Sequence, residues 1–176
     1  MEPSPVAAEA MKKIVAALKK LRYQAVAIGD AAHDASGCPR TVQTVDLLTN
    51  TGEKQRLAIL AAGKQEGLVP ADAPAGQLRL THKNVPIRIL EASTSFHRLM
   101  LTRAQPGVVL GVRSFLATPE DLILMRTGSE APGDKATVLQ LFKVHGKKLD
   151  ANYLQAQAEA VGKFDKLKLA WKESQA

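Results

Sequence analysis

Residues 25–50, AVAIGDAAHDASGCPRTVQTVDLLTN, constrain this chain more than any other stretch. Two apolar runs, AVAI and VDLLT, have the length and continuity of strands buried on both faces of a sheet. Between them lies a small-residue, helix-compatible segment closed by Gly37 and Pro39. Gly29 ends the first run, and a glycine that opens a helix leaves backbone N–H groups for an anion. Asp46 lies inside the second run, where a carboxylate is costly unless it is paired, metal-bound or exposed at the sheet's end. Strand–Gly–helix–strand–Asp thus describes a pocket for a phosphate and a divalent cation. The commoner outcome of such a pattern is an ordinary α/β unit with a turn glycine and a solvated aspartate.

The rest of the chain supplies a sheet and helices around that unit. Met11, Ile14, Val15, Leu18 and Leu21 recur at helical period, so residues 6–21 are expected as a helix, with its lysines mostly off the apolar face. Pro3 and Pro5 are expected to block any earlier start, leaving a disordered lead-in. Residues 53–66 are predicted as a helix burying Leu57, Leu60 and Ala61, and 69–76, with two prolines, as a loop. Residues 77–82 and 85–91 alternate in polarity around Lys83-Asn84, the pattern of a hairpin. That hairpin is expected beside the 42–49 strand. Residues 95–104 predict a short helix, broken at Pro106-Gly107, and 108–116 one or two strands. Thr118-Pro119-Glu120-Asp121 is a strong helix start: a capping threonine, proline in the first turn, and acids against the dipole. A break at residues 131–133 leads to further helices through Trp171.

Composition limits what such a fold does. With 176 residues, 45% hydrophobic and 4% aromatic, the core is built from Ala, Leu, Val and Ile. No run approaches the roughly 18 apolar residues of a membrane span, so no membrane partner is expected. The N-terminus lacks a charged start followed by an apolar region, so no secretory signal is expected either. The single cysteine, Cys38, excludes an internal disulfide and suits the cytoplasm. His33, His82, His97 and His145 lack metal-ligand spacing, which argues against zinc. A net charge of +7 favours anionic partners such as nucleotides, RNA or acidic proteins.

Taken in order, Gly29, Gly37, Pro39, Arg40 and Asp46 resemble the signature of small nucleotidyltransferases of the polymerase-β-like superfamily, including the abortive-infection toxin type. That pattern runs strand, Gly-Gly or Gly-Ser, short helix, Gly-x-Pro-Arg, then a strand bearing Asp-x-Asp. Asp30 stands where the second Gly or Ser belongs, and Thr44 stands where the first Asp belongs. In the second half, TPEDLILMR (118–126) and GDKATV (133–138) are similar to two further motifs of these enzymes. Arg126 there replaces a lysine, and Thr137 replaces an acid.

The resemblance implies an α/β fold with a mixed sheet flanked by helices over residues 1–117 and a helical part over 118–176. It implies Gly29, Asp30, Arg40 and Arg126 as nucleotide-binding residues. Asp46 and Glu91, the one acid on the second hairpin arm, are implied as catalytic and metal-binding residues. Magnesium is the expected cofactor of an active enzyme, and no cofactor is expected otherwise. With the two departures, the reading is a nucleotidyltransferase-fold protein impaired in catalysis that retains binding of a nucleotide, an RNA or a protein partner. Two alternatives stay open: an active magnesium-dependent transferase of toxin or resistance type modifying RNA or protein, and an interaction module with no nucleotide role. Oligomeric state is not legible in the sequence.

Overall fold

A four-residue strand, β1 (Ala25–Ile28), is buried at every position, and so is β2 (Val45–Thr49). Strands that lose all their side chains from water must lie inside a sheet with both faces covered. In the computed structural model, which describes residues 4–131 and 133–175, they lie at its centre. The described residues divide into two compact units. The first extends to Ala117, apart from Ser36–Cys38; the second comprises Ser36–Cys38 and the chain from Thr118 onward.

Seven strands among the described residues of the first unit form one mixed sheet, ordered β3-β4-β5-β2-β1-β7-β6. They are β1, β2, β3 (Val69–Ala71), β4 (Gln77–His82), β5 (Val85–Glu91), β6 (Gln105–Val109) and β7 (Val112–Leu116). β1 runs antiparallel to β2 and parallel to β7, and β2 runs parallel to β5. The hairpin β4–β5 therefore docks its second arm against β2, as expected. Its turn takes Lys83 at φ 51°, and Leu78, Leu80, Ile87 and Ile89 supply the buried positions. Helices α1 (Pro5–Lys20), α2 (Gly29–Ala35), α3 (Glu53–Gln65) and α4 (Ser95–Arg103) complete the unit. α1 packs on the sheet and buries Ala7, Ala10, Met11, Ile14, Val15, Ala17 and Leu18.

Three local expectations need correction, each for a stated reason. Pro5 does not block α1 but opens it, because a proline in the first turn has no N–H to lose and a preset φ. The lead-in expected at residues 1–3 and the break at Pro132 fall outside the described residues. The loop expected at 69–76 contains β3, paired antiparallel to β4, and Pro106 lies within β6. Both strands are at the sheet's edges, where a proline faces no neighbour that needs its N–H. Finally, α3 is turned from the expected face. Leu57 is 65% exposed, and Ile59, Ala62 and Gly63 are buried instead. A side chain at Gly63 would come within 3.2 Å of Leu80 Cδ2, so the helix approaches the sheet through its smallest residues.

The second unit is helical: α5 (Pro119–Arg126), α6 (Asp134–His145), a 3₁₀ turn at Gly146–Lys148, α7 (Ala151–Ala160) and α8 (Phe164–Ser174). Thr118 caps α5 by accepting from the Asp121 N–H at 3.3 Å, and Asp150 caps α7 by accepting from Tyr153 N–H at 2.9 Å. Tyr153 Oη donates to the fully buried Asp121 at 2.5 Å, joining the two helix starts. His145 Nε2 donates to the Ser36 carbonyl at 2.9 Å, which ties residues 36–38 to α6. No helix among the described residues is long and apolar enough to cross a membrane.

If β2 is the sheet's central element, Leu47→Ala should lower the unfolding free energy by about 3 kcal/mol, the usual loss for a large core side chain. Urea unfolding should show a lower midpoint at unchanged slope. A loss under about 1 kcal/mol would place Leu47 outside the core.

Candidate functional site

The sheet's register decides what surrounds Asp46. β1 ends at Ile28, which pairs with Asp46, so the chain turns into α2 directly beside that carboxylate. Gly29 makes the turn at φ +68°, where a side chain is strained, and a Cβ there would overlap Asp46 Oδ2 and lie 3.0 Å from its Cβ. The glycine is needed twice over, for the turn and for the approach of the carboxylate. α2 then hydrogen-bonds back through His33 Nδ1, 2.6 Å from the Gly29 carbonyl.

On its other side β2 meets β5 in parallel register, and the residue opposite Asp46 is Arg88. Arg88 Nε donates to Asp46 Oδ1 at 2.5 Å and Nη2 donates to Oδ2 at 2.7 Å. The guanidinium thus grips both carboxylate oxygens in the two-pronged geometry that arginine favours. Thr44, two residues before Asp46 and just ahead of β2, donates its hydroxyl to Oδ2 at 3.0 Å and accepts from Arg88 Nη2 at 3.2 Å. Asp46 is only 8% exposed, whereas the Arg88 side chain is about half exposed (46%). Hydrogen bonding to Asp46 raises the Arg88 pKa above the ordinary arginine value; burial opposes this, and the charges of Asp46 and Asp30 reinforce it. Arg88 is a permanent cation at this site.

Glu91 is not part of this cluster. It pairs with Thr49, three residues beyond Asp46, and by strand alternation points to the opposite face from Arg88. Three residues of strand amount to about 10 Å. Asp30 follows Gly29 as the second residue of α2 and acts on Arg88 through its charge. Arg40 follows α2, and its backbone N–H donates to Asp34 Oδ1 at 3.3 Å. Arg126 belongs to the second unit, at the end of α5, where it forms an ion pair with Asp134 at the start of α6. The structure therefore brings Gly29, Asp30, Thr44, Asp46 and Arg88 together, and leaves Glu91 elsewhere.

Arg88 is the member that sequence reading missed. The resemblance implies a carboxylate on this hairpin arm, whereas the residue facing Asp46 is a base. A different signal pointed to it: a buried Asp46 needs a counter-charge, and Arg88 is the one basic residue on the neighbouring arm of the hairpin, VPIRILE. Only the register makes that pairing definite.

Magnesium requires near-octahedral oxygen ligation at about 2.0–2.1 Å, and the side chains at Asp46 do not provide it. The donor set holds the Asp46 carboxylate, already gripped on both oxygens by a guanidinium, one neutral hydroxyl and, in the first turn of α2, the carboxylate of Asp30. A divalent ion about 4 Å from Arg88 would meet a repulsion of roughly 8 kcal/mol at an effective dielectric of 20. Among the described residues no group of three His, Cys, Asp or Glu side chains could hold a metal ion.

No protein-family model matches the sequence, and no curated protein matches it significantly. Solved structures do. The antibiotic-resistance factor ANT(2'')-Ia in complex with adenylyl-2''-tobramycin superposes with a TM-score of 0.65 at 15% identity, covering 88% of this chain and 98% of that one. The chain has the nucleotidyltransferase fold. The lincomycin-bound lincosamide antibiotic adenylyltransferase LnuA matches with a TM-score of 0.59 at 12% identity, over 82% of this chain and 99% of that one. An antigenic nucleotidyltransferase-like protein from Paracoccidioides brasiliensis matches with a TM-score of 0.56 at 17% identity, over 97% and 94%. In this chain the nucleotidyltransferase fold sets an arginine against the aspartate of β2.

The Asp46–Arg88 pair can be tested by a double-mutant cycle. Arg88→Met should cost about 1–3 kcal/mol, less than a fully buried pair because Arg88 is half exposed, and adding Asp46→Asn should recover most of the loss. What Arg88→Met leaves behind is an unpaired, buried carboxylate, which the asparagine removes. Denaturation of the four proteins reads the coupling; effects that add within about 0.5 kcal/mol would mean that no such pair exists.

Proposed function

We propose that this protein uses the nucleotidyltransferase fold to bind an anionic partner, a nucleotide or RNA, and does not transfer nucleotides by two-metal catalysis. The observation that carries this reading is the grip of Arg88 on both oxygens of Asp46. Two-metal transfer needs carboxylates held ready for cations at the attacking and leaving oxygens. Here the aspartate is satisfied by a guanidinium that cannot lose its proton, and Thr44 adds a hydroxyl in place of a second charge. Asp30 places a further negative charge in the first turn of α2, where backbone N–H groups would otherwise face a phosphate. The net charge of +7 supports an anionic partner, held by basic side chains away from this cluster.

An active transferase of toxin or resistance type would require Arg88 to leave Asp46 when magnesium and nucleotide arrive. Calorimetric titration with each nucleoside triphosphate, with and without magnesium, separates the two readings. The wild-type protein should show no magnesium-dependent gain in affinity. Thr44→Asp combined with Arg88→Asp restores carboxylates around Asp46 and should make binding at least about tenfold tighter with magnesium than without it; either change alone should do less. Transfer of labelled nucleotide by the wild type at roughly 1 s⁻¹ or faster would overturn the proposal. So would wild-type magnesium–nucleotide binding that Asp46→Asn abolishes. RNA binding, in turn, should weaken steeply between low and physiological salt as released counterions lose their advantage; an RNA affinity indifferent to salt would exclude RNA as the partner.

A further inference from the structure

The second unit contains a cavity of about 390 Å³ with no part in the Asp46 cluster, set among α6, the 3₁₀ turn, α7 and α8. Its wall is apolar, formed chiefly by Phe142, Leu154, Phe164, Leu167 and Trp171. Phe142 and Trp171 meet edge to face with ring centroids 5.2 Å apart, which fixes one side of the opening. Trp171, the chain's single tryptophan, remains 39% exposed at this opening, so its ring is accessible to a ligand entering the cavity. The polar lining is one-sided: Lys147 and Lys168 are exposed on this wall, with Gln155, and no acid among the described residues lines it. The volume lies in the range of small-ligand sites, roughly 300–1,000 Å³.

We propose that this cavity binds a small amphiphile with an apolar body and a single carboxylate, of the medium-chain fatty-acid class. The apolar wall would take the hydrocarbon, and burying it supplies the affinity in proportion to the area removed from water. The two lysines set the sign of the head group, because ammonium groups at the edge of an apolar cleft favour an anion and repel a cation. A cationic amphiphile would find no counter-charge on the wall. A neutral one would gain only the burial. This site stands apart from the reading of Asp46 and survives if that reading fails.

Trp171 reports on its own pocket. Its fluorescence should change saturably when the full-length protein is titrated with sodium decanoate below the micelle concentration, and calorimetry should give the same affinity. Decanol should bind about tenfold more weakly, as expected for the loss of two partly screened lysine contacts, and decyltrimethylammonium more weakly still. Lys147→Glu with Lys168→Glu alters exposed positions and should reverse the order, favouring the ammonium over the carboxylate at unchanged thermal stability. The proposal is overturned by the absence of saturable binding, by equal affinity for the three probes, or by an order the charge reversal leaves intact. It is also overturned if decanoate fails to bind while the protein dimerises and the dimer shields Trp171, for then a second copy occupies this face.

Discussion

Burying the carboxylate of Asp46 is the constraint on which the centre of this protein depends. A carboxylate removed from water must be paired or take up a proton. In a nucleotidyltransferase fold that performs two-metal chemistry, cations meet that requirement. In this chain β5 supplies the guanidinium of Arg88, which satisfies both oxygens at 2.5 and 2.7 Å, and Thr44 completes the contact with Oδ2. An internal pair of this kind is permanent, needs no bound ion, and locks β2 to β5 through side chains as well as through their ladder. It also explains why Thr44 and Arg88 occur together. A carboxylate at position 44 would add a further negative charge beside Asp46 and could not donate to it, whereas a hydroxyl can donate to Asp46 and accept from Arg88.

The backbone around the pair is arranged for close approach. Gly29 turns the chain from β1 into α2 with no side chain between it and Asp46. The short helix then bonds back to its own start through His33. The strand–turn–helix geometry can present N–H groups to a phosphate, and the side chains beside it are Asp30, Asp46 and the Arg88 that grips Asp46. Asp30 lies in the first turn of that helix and stabilises it through the dipole, a local gain that opposes a phosphate at the same place.

Much of the fold was legible because it rests on local patterns. The continuous apolar runs around Gly29, the alternation in the hairpin and the capping residues at Thr118 each carry their own physical signal, and the strands and helix start appear there. What is not legible in the sequence depends on tertiary position. Pro70 and Pro106 read as breaks until they are placed on edge strands, where a missing N–H costs nothing. The buried face of α3 rests on Ala62 and Gly63, residues too small to register as a hydrophobic stripe. At the site, Gly29 and Asp46 were visible as a strand–turn–strand unit. Glu91 and Arg88 differ by three positions on one strand, and only the pairing of β2 with β5 says which of them faces Asp46.

The central claim is that a guanidinium holds the position a catalytic fold reserves for a cation. Titration with Mn²⁺ in the presence of nucleotide, followed by paramagnetic broadening of backbone amide signals, examines that position directly. The account predicts no saturable broadening at Gly29, Asp46 and Arg88 in the wild type, and its appearance there once Thr44 and Arg88 are both replaced by aspartate. Saturable broadening centred on Asp46 in the unaltered protein would show that the ion displaces Arg88 and would contradict the account.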